Sequence, residues 1–222
     1  MQKVNSMKAV RSEDRGLTNL WIFESNKGAG RFSITTDISF AMFILLEGDT
    51  RIKSYEPYPD ISKYIPANCK KLKPTALAKQ HDGKKIFLQC SYEPEKLADH
   101  LMAYKTFVSS HPDAIGYEVI CSDEIWKQKI FIENWIFLSA AINRSKRFGR
   151  FHEMRVIKKM ILTDGVALRL EELLAAPDVD DALMLGAVAW LLQQGTLKSD
   201  LTSQIFGYTS IIEGNENDED KN

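Results

Sequence analysis

Apolar positions change their period along the chain, and each change marks an element. From Asp37, the residues Ile38, Met42 and Ile44/Leu45 recur at helical spacing, with Asp37 as the expected N-cap and Gly48-Asp49-Thr50 as the stop. Ile52–Tyr55 and Ile61–Ile65 are short and punctuated by Pro57, Pro59 and Pro66, which predicts strands or extended segments. Leu77–Lys79 and Lys84–Cys90 flank His81-Asp82-Gly83, and Asp-Gly between apolar-rich runs predicts a β-hairpin. The second run is nearly all apolar, as expected of a strand covered on both faces. Leu97, Leu101, Tyr104 and Val108 give a helix over Pro94–Ser109, Ile115–Cys121 a strand, and Ser122 the expected cap of another helix. Strands alternating with helices after a hairpin predict an α/β domain built on a mixed sheet.

A second unit is expected beyond Asn143–Gly149, the best candidate linker. Phe151–Leu162, Leu168–Ala175 and Val179–Gln194 read as helices, the last closed by Gly195, and Thr196–Asp200 and Ile205–Ile211 as short extended segments. Three helices followed by a small ribbon outline a winged helix. The expected organisation is therefore a loosely structured arm at 1–33, an α/β domain at 34–147, a small winged-helix domain at 148–212, and a disordered acidic tail at 213–222 holding five acidic residues.

Charge sharpens that division. Residues 1–147 carry 22 Lys/Arg against 17 Asp/Glu, and residues 148–222 carry 7 against 13, so a net charge of −1 conceals a basic front and an acidic back. An anionic ligand is expected for the first part and a different partner for the second. Solvated faces that differ in charge by chance would give the same totals. Cys69, Cys90 and Cys121 are widely spaced and odd in number, which fits a reducing cytoplasm, and the four histidines show no zinc-ligand spacing with them. The longest apolar run, Ala182–Leu192, is too short to cross a bilayer, and no secretory signal is visible, so no membrane partner is expected.

The hairpin also carries the candidate chemistry. Pro74-Thr75-Ala76-Leu77, then Asp82-Gly83, then Leu88-Gln89-Cys90-Ser91 follow the outline of a metal-dependent nuclease core: Pro-Asp, strand, turn, strand, and a carboxylate or amide two residues before a lysine. Thr75 stands where the aspartate is expected and Ser91 where the lysine is expected. Around this hairpin lie Leu46-Glu47-Gly48-Asp49, Lys53-Ser54-Tyr55-Glu56-Pro57, Gly116-Tyr117-Glu118-Val119-Ile120, and Ile125 with Glu133-Asn134-Trp135-Ile136-Phe137-Leu138. In this order, over roughly residues 27–211, the chain resembles the TnsA family, the endonuclease subunit of heteromeric cut-and-paste transposases. That resemblance implies a restriction-endonuclease-like domain followed by a winged helix. It also implies a transposase and an AAA+ ATPase as partners, with DNA and an active TnsA-like homologue as further candidates.

The family's site supplies a glutamate, an aspartate, a Glu or Gln, and a lysine. Magnesium takes oxygen ligands and needs carboxylate charge, while the lysine stabilises charge that develops at the scissile phosphate. By position these fall on Ser39, Thr75, Gln89 and Ser91, of which Gln89 alone has the right type. A pseudo-nuclease with no metal is expected. Carboxylates relocated to Glu93 and Glu95 would make it an Mg²⁺-dependent enzyme instead; a third alternative is a regulator whose winged helix reads DNA. Lys63, Lys70, Lys71, Lys73, Lys79, Lys84 and Lys85 around the hairpin, and Arg144, Lys146, Arg147 and Arg150 at the linker, are candidate phosphate contacts or simply solvated charge. The long helix at 179–194 holds no Lys or Arg and many apolar residues, so it is expected to be buried and to favour protein rather than DNA contacts.

Overall fold

In the computed structural model, which describes residues 19–60, 69, 71–110 and 115–215, the first described element is a two-stranded hairpin, β1 (Trp21–Glu24) and β2 (Arg31–Ile34). It is antiparallel, with Trp21 opposite Ile34 and Glu24 opposite Arg31. The described part of the expected arm is thus ordered. Asn26–Gly30, rich in turn formers, is its loop, and Gly28 and Gly30 take the left-handed φ values of 88° and 70° that the loop needs. Phe23 and Phe32 turn inward to Phe43 of the first helix, α1 (Asp37–Gly48), at ring separations of 6.3 and 4.8 Å. The cap of α1 is Thr36, one residue before the expected Asp37, because the Thr36 hydroxyl accepts from the Ser39 N–H at 3.3 Å.

The central sheet has the order β3 (Ile52–Pro57), β4 (Ala76–Gln80), β5 (Lys85–Ser91), β6 (Gly116–Cys121). The first three strands are antiparallel neighbours and β5 pairs with β6 in parallel, so the predicted mixed sheet is present. The hairpin turns at Gly83, whose φ of 87° few residues adopt cheaply. As expected, β5 is covered on both faces over Ile86–Gln89. A parallel neighbour requires a crossover. It is supplied by a single 3₁₀ turn at Pro94–Leu97 and α2 (Ala98–Ser110). Tyr104 of α2, Leu72 and Cys69 form a small cluster over that face. On the opposite face α1 covers the sheet. The expected Ile61–Ile65 segment and residues 216–222 of the expected tail lie outside the described residues.

Two helices follow β6. Cys121, not Ser122, precedes the short α3 (Ser122–Trp126), with its N–H bonded to the Glu124 carboxylate at 3.1 Å, and α4 (Lys129–Ser145) is the long brace of the molecule. After the elbow at 146–150 come α5 (Phe151–Ile157), continued by a π-helical turn at Lys158–Thr163, then β7 (Leu168–Arg169), α6 (Leu170–Leu174) and α7 (Asp181–Gln194). The strands β8 (Leu197–Lys198) and β9 (Ile211–Gly214) are the last described elements and join β7 in a three-stranded sheet of order β7-β9-β8. Residues 205–210, expected to be extended, instead form turns around Phe206, whose N–H donates to the Asn134 side chain at 2.8 Å. The same buried Asn134 donates to the carbonyls of Leu201 and Gln204, so one amide on α4 fixes this whole loop.

The core does not break at the elbow. One continuous apolar cluster runs from Phe23 through Phe43, Trp135 and Leu138 to Val188, Leu192 and Ile212. Its tightest crossing lies between α4 and α7, where Gly186 lets the helices approach so closely that a Cβ there would collide with Ser145. Asp180 caps α7 by accepting from the Leu183 N–H at 2.9 Å, and Gly195 ends it in the left-handed conformation, φ 77°. As its composition predicts, α7 is buried over Gly186–Ala189 and Leu191–Gln193. Among the described residues no helix is long and apolar enough to cross a membrane.

Candidate functional site

Ser39, Thr75 and Gln89 are all buried and Ser91 is half-buried, but the four do not converge. Successive residues of a strand point to opposite faces. The Cys90 thiol lies against Met42 Sδ of α1 at 3.2 Å, so Gln89 points to the other face, where its Oε1 accepts from the Lys73 N–H at 2.9 Å and the Tyr117 hydroxyl at 2.5 Å. Ser39, in the first turn of α1, lies on the Cys90 side and bonds the Thr36 hydroxyl at 2.8 Å. The Thr75 hydroxyl accepts from the Cys90 N–H at 3.2 Å, and the Ser91 hydroxyl from the Glu93 N–H at 3.1 Å.

Every oxygen that by position would face a metal is thus engaged in a structural hydrogen bond, and none carries charge. Magnesium needs hard, negatively charged oxygen ligands. The donor set does not fit such an ion. Glu93 is exposed and paired with Lys96 at 2.5 Å, and Glu95 is exposed beside it. Among the described residues no three His, Cys, Asp or Glu side chains gather as ligands. Burial pushes the Cys90 thiol up to about 12, which favours its protonated form.

The candidate cations stand differently. Lys71, Lys73, Lys79, Lys84 and Lys85 are exposed; Lys63 and Lys70 lie outside the described residues. Lys71 and Lys73 precede β4, whereas Lys84 and Lys85 sit at the turn, about 15 Å away along the strand. Lys79 and Lys85 are direct cross-strand partners. Like charges placed opposite each other destabilise a sheet, and a phosphate between them would relieve that repulsion. Along the elbow, Arg144 and Arg147 are exposed, Lys146 pairs with Glu24 at 3.4 Å, and Arg150 bonds the Gly186 carbonyl at 3.1 Å with its guanidinium 5.6 Å from the Trp190 ring. Arg150 is therefore a packing residue.

The most elaborate polar site is one the sequence does not announce. Glu47, fully buried at the end of α1, accepts from the Ser25 hydroxyl at 2.7 Å, the Tyr55 hydroxyl at 2.6 Å, Gln193 Nε2 at 2.8 Å and the Asn26 N–H at 3.2 Å. Lys27 is buried beside it and donates to the Asp49 carbonyl at 2.5 Å. Burial lowers the Lys27 ammonium to about 8, partly opposed by the Glu47 and Asp49 charges. Burial first, then the Glu47 charge, pushes the Tyr55 phenol far up. The Glu47 carboxylate is fully buried with both oxygens engaged, while Asn26 Oδ1 and Gln193 Oε1 beside it are buried without a partner, and the cluster forms a joint between β1–β2, α1, β3 and α7. Only the Leu46-Glu47-Gly48-Asp49 stretch could have hinted at it, as a carboxylate inside an apolar run. No family model and no curated protein sequence matches this chain.

Proposed function

We propose that this protein is a TnsA-like subunit without nuclease activity, which serves the assembly or regulation of a DNA transposition complex through protein contacts and non-specific DNA contacts. The observation that carries the reading is the hairpin at Thr75–Ser91. It keeps a nuclease-like order of strands while the positions of the metal ligands hold neutral side chains engaged within the fold. The run of antiparallel β3, β4 and β5, the α2 crossover and parallel β6 supports a restriction-endonuclease-like domain. Three helices with the small β7-β9-β8 sheet support a winged helix after it. A reading helix must present side chains to a groove, and α7, devoid of Lys and Arg, is packed into the core instead. Protein contacts are therefore assigned to this end of the chain and phosphate contacts to the exposed lysines of the hairpin.

The test is a Mg²⁺-dependent nicking assay on transposon-end DNA with a transposase and an AAA+ ATPase of the kind the resemblance implies present. The expected result is no cleavage attributable to this chain, with complex assembly dependent on it. Robust cleavage lost in Glu93→Gln or Glu95→Gln would sink the proposal in favour of a relocated site.

A further inference from the structure

Residues 144–159 hold seven Lys/Arg and one Glu, a basic block inside the otherwise acidic last third of the chain. Two of the seven are already used, Lys146 by Glu24 and Arg150 by α7. Arg144, Arg147, Arg155, Lys158 and Lys159 are exposed, and none takes part in an ion pair among the described residues. The single acid, Glu153, is turned inward and buried, so it does not neutralise the surface. Interleaved with these cations are Phe148 and Phe151, 63% and 82% exposed. Neither belongs to the core.

The geometry groups them further. Phe151, Arg155, Lys158 and Leu162 recur at spacings of four, three and four, hence on one face of α5 and its π-helical continuation. With Met154 and Leu191 they line an open groove of about 270 Å³. That is smaller and shallower than the enclosed pockets that hold small molecules. Large apolar rings left in water beside unpaired cations suit an occupant that supplies both flat apolar faces and regularly spaced negative charge. Unpaired nucleic acid has both: bases stack on aromatic rings while phosphates meet Lys and Arg. In a duplex the π-faces are already stacked and shielded, so it would use the cations and leave the phenylalanines idle.

We propose that the elbow between α4 and α5, with Phe148 and Phe151 as stacking platforms and Arg144, Arg147, Arg155 and Lys158 as phosphate contacts, binds single-stranded nucleic acid. This rests on the DNA-contact part of the function proposed above, and assigns unpaired strands to the elbow while the hairpin lysines take duplex.

Fluorescence anisotropy on the full chain tests it with three labelled probes: an oligothymidylate of about 16 nucleotides, near the upper site size of a stacking platform, a duplex of the same length, and a polyglutamate peptide of matching charge. The expected result is that Phe148→Ala/Phe151→Ala weakens oligothymidylate binding by roughly tenfold or more and leaves duplex binding and the thermal unfolding midpoint unchanged. Phe148→Tyr/Phe151→Tyr, which keeps the ring faces, should restore it. Unchanged oligothymidylate affinity in the alanine variant overturns the proposal, as does polyglutamate binding equally well, which would mark a docking face for an acidic protein. Oligothymidylate binding without duplex binding would uphold the elbow site and count against the hairpin's assignment. Duplex binding that depends on Lys84 and Lys85, with no effect of the phenylalanines, would do the reverse.

Discussion

Truncating Glu47 should remove a large part of this protein's stability, although the residue presents nothing to solvent. The carboxylate is fully buried and takes hydrogen bonds from Ser25, Asn26, Tyr55 and Gln193. In Glu47→Ala those four donors would face a cavity, and each unsatisfied buried donor costs about 1–3 kcal/mol. A simple sum overstates the loss, because the donors can turn to one another or to an entering water. Breaking a buried charged network by removing one member typically costs about 3–5 kcal/mol, and that is the expected range here. For a chain of this length it corresponds to a fall in Tm of about 6–20 °C. Glu47→Gln keeps the volume and one acceptor but turns an NH₂ toward a donor, so it should cost about 1–3 kcal/mol. Urea denaturation followed by far-ultraviolet circular dichroism measures both. A double-mutant cycle with Tyr55→Phe then asks whether the two share one network, with an expected coupling of about 0.5–3 kcal/mol. A loss below about 1 kcal/mol for Glu47→Ala, or strict additivity with Tyr55→Phe, would refute the view that this joint holds the molecule together.

Three further outcomes are expected. Burial lowers the Lys27 ammonium to about 8; at this site the unfolded chain binds more protons from pH 8 upward, so the Lys27 contribution to stability should rise with pH there, by at most about 3 kcal/mol. Burial pushes the Cys90 thiol up to about 12, so Cys90 opposes that rise from about pH 8.5, as Tyr55 does above pH 10; urea midpoints between about pH 7.5 and 9.5 should therefore change more favourably with pH in the native chain than in Lys27→Met, which isolates the Lys27 contribution. Lys85→Glu converts the Lys79–Lys85 pair from like to opposite charge, so it should stabilise the sheet by about 0.2–1 kcal/mol while weakening duplex binding and lowering its salt dependence. Gly186→Ala should cost about 1–3 kcal/mol through its collision with Ser145, and adding Ser145→Gly should recover most of it; an unimpaired single variant would mean that α4 and α7 are not packed as closely as described.

Much of the central sheet was legible because its signals are local. Asp82-Gly83 between two apolar runs marks a turn wherever it occurs, and the unbroken Ile86–Cys90 run marks a strand covered on both sides. The burial of α7 was legible for the same reason. The hairpin β1–β2 was not, since its four-residue strands have exposed residues at Trp21, Ile22, Arg31 and Ser33 and draw their stability from Phe43 on a later helix. The strand expected near Ile205 lost to Asn134, an amide about seventy positions earlier that holds the segment in turns. At the candidate nuclease site the sequence revealed residue types but not directions. Only the strand alternation, seen from Cys90 against Met42, places Gln89 on the far face from Ser39. Glu47 was opaque because its four donors come from residues as far apart as Ser25 and Gln193, and no local window contains them.

The bond from Gln193 to Glu47 spans 146 residues of chain. During synthesis at about 5–20 residues per second, the carboxylate leaves the ribosome roughly 7–30 s before its last partner exists. Throughout that interval the Ser25–Lys27 loop and the end of α1 have no lid, and the apolar surface destined for α7 is open to solvent. The newborn chain therefore keeps this apolar surface uncovered until Gln193 has emerged, and a chain cut short before Gln193 would lack the amide donor that completes the Glu47 network.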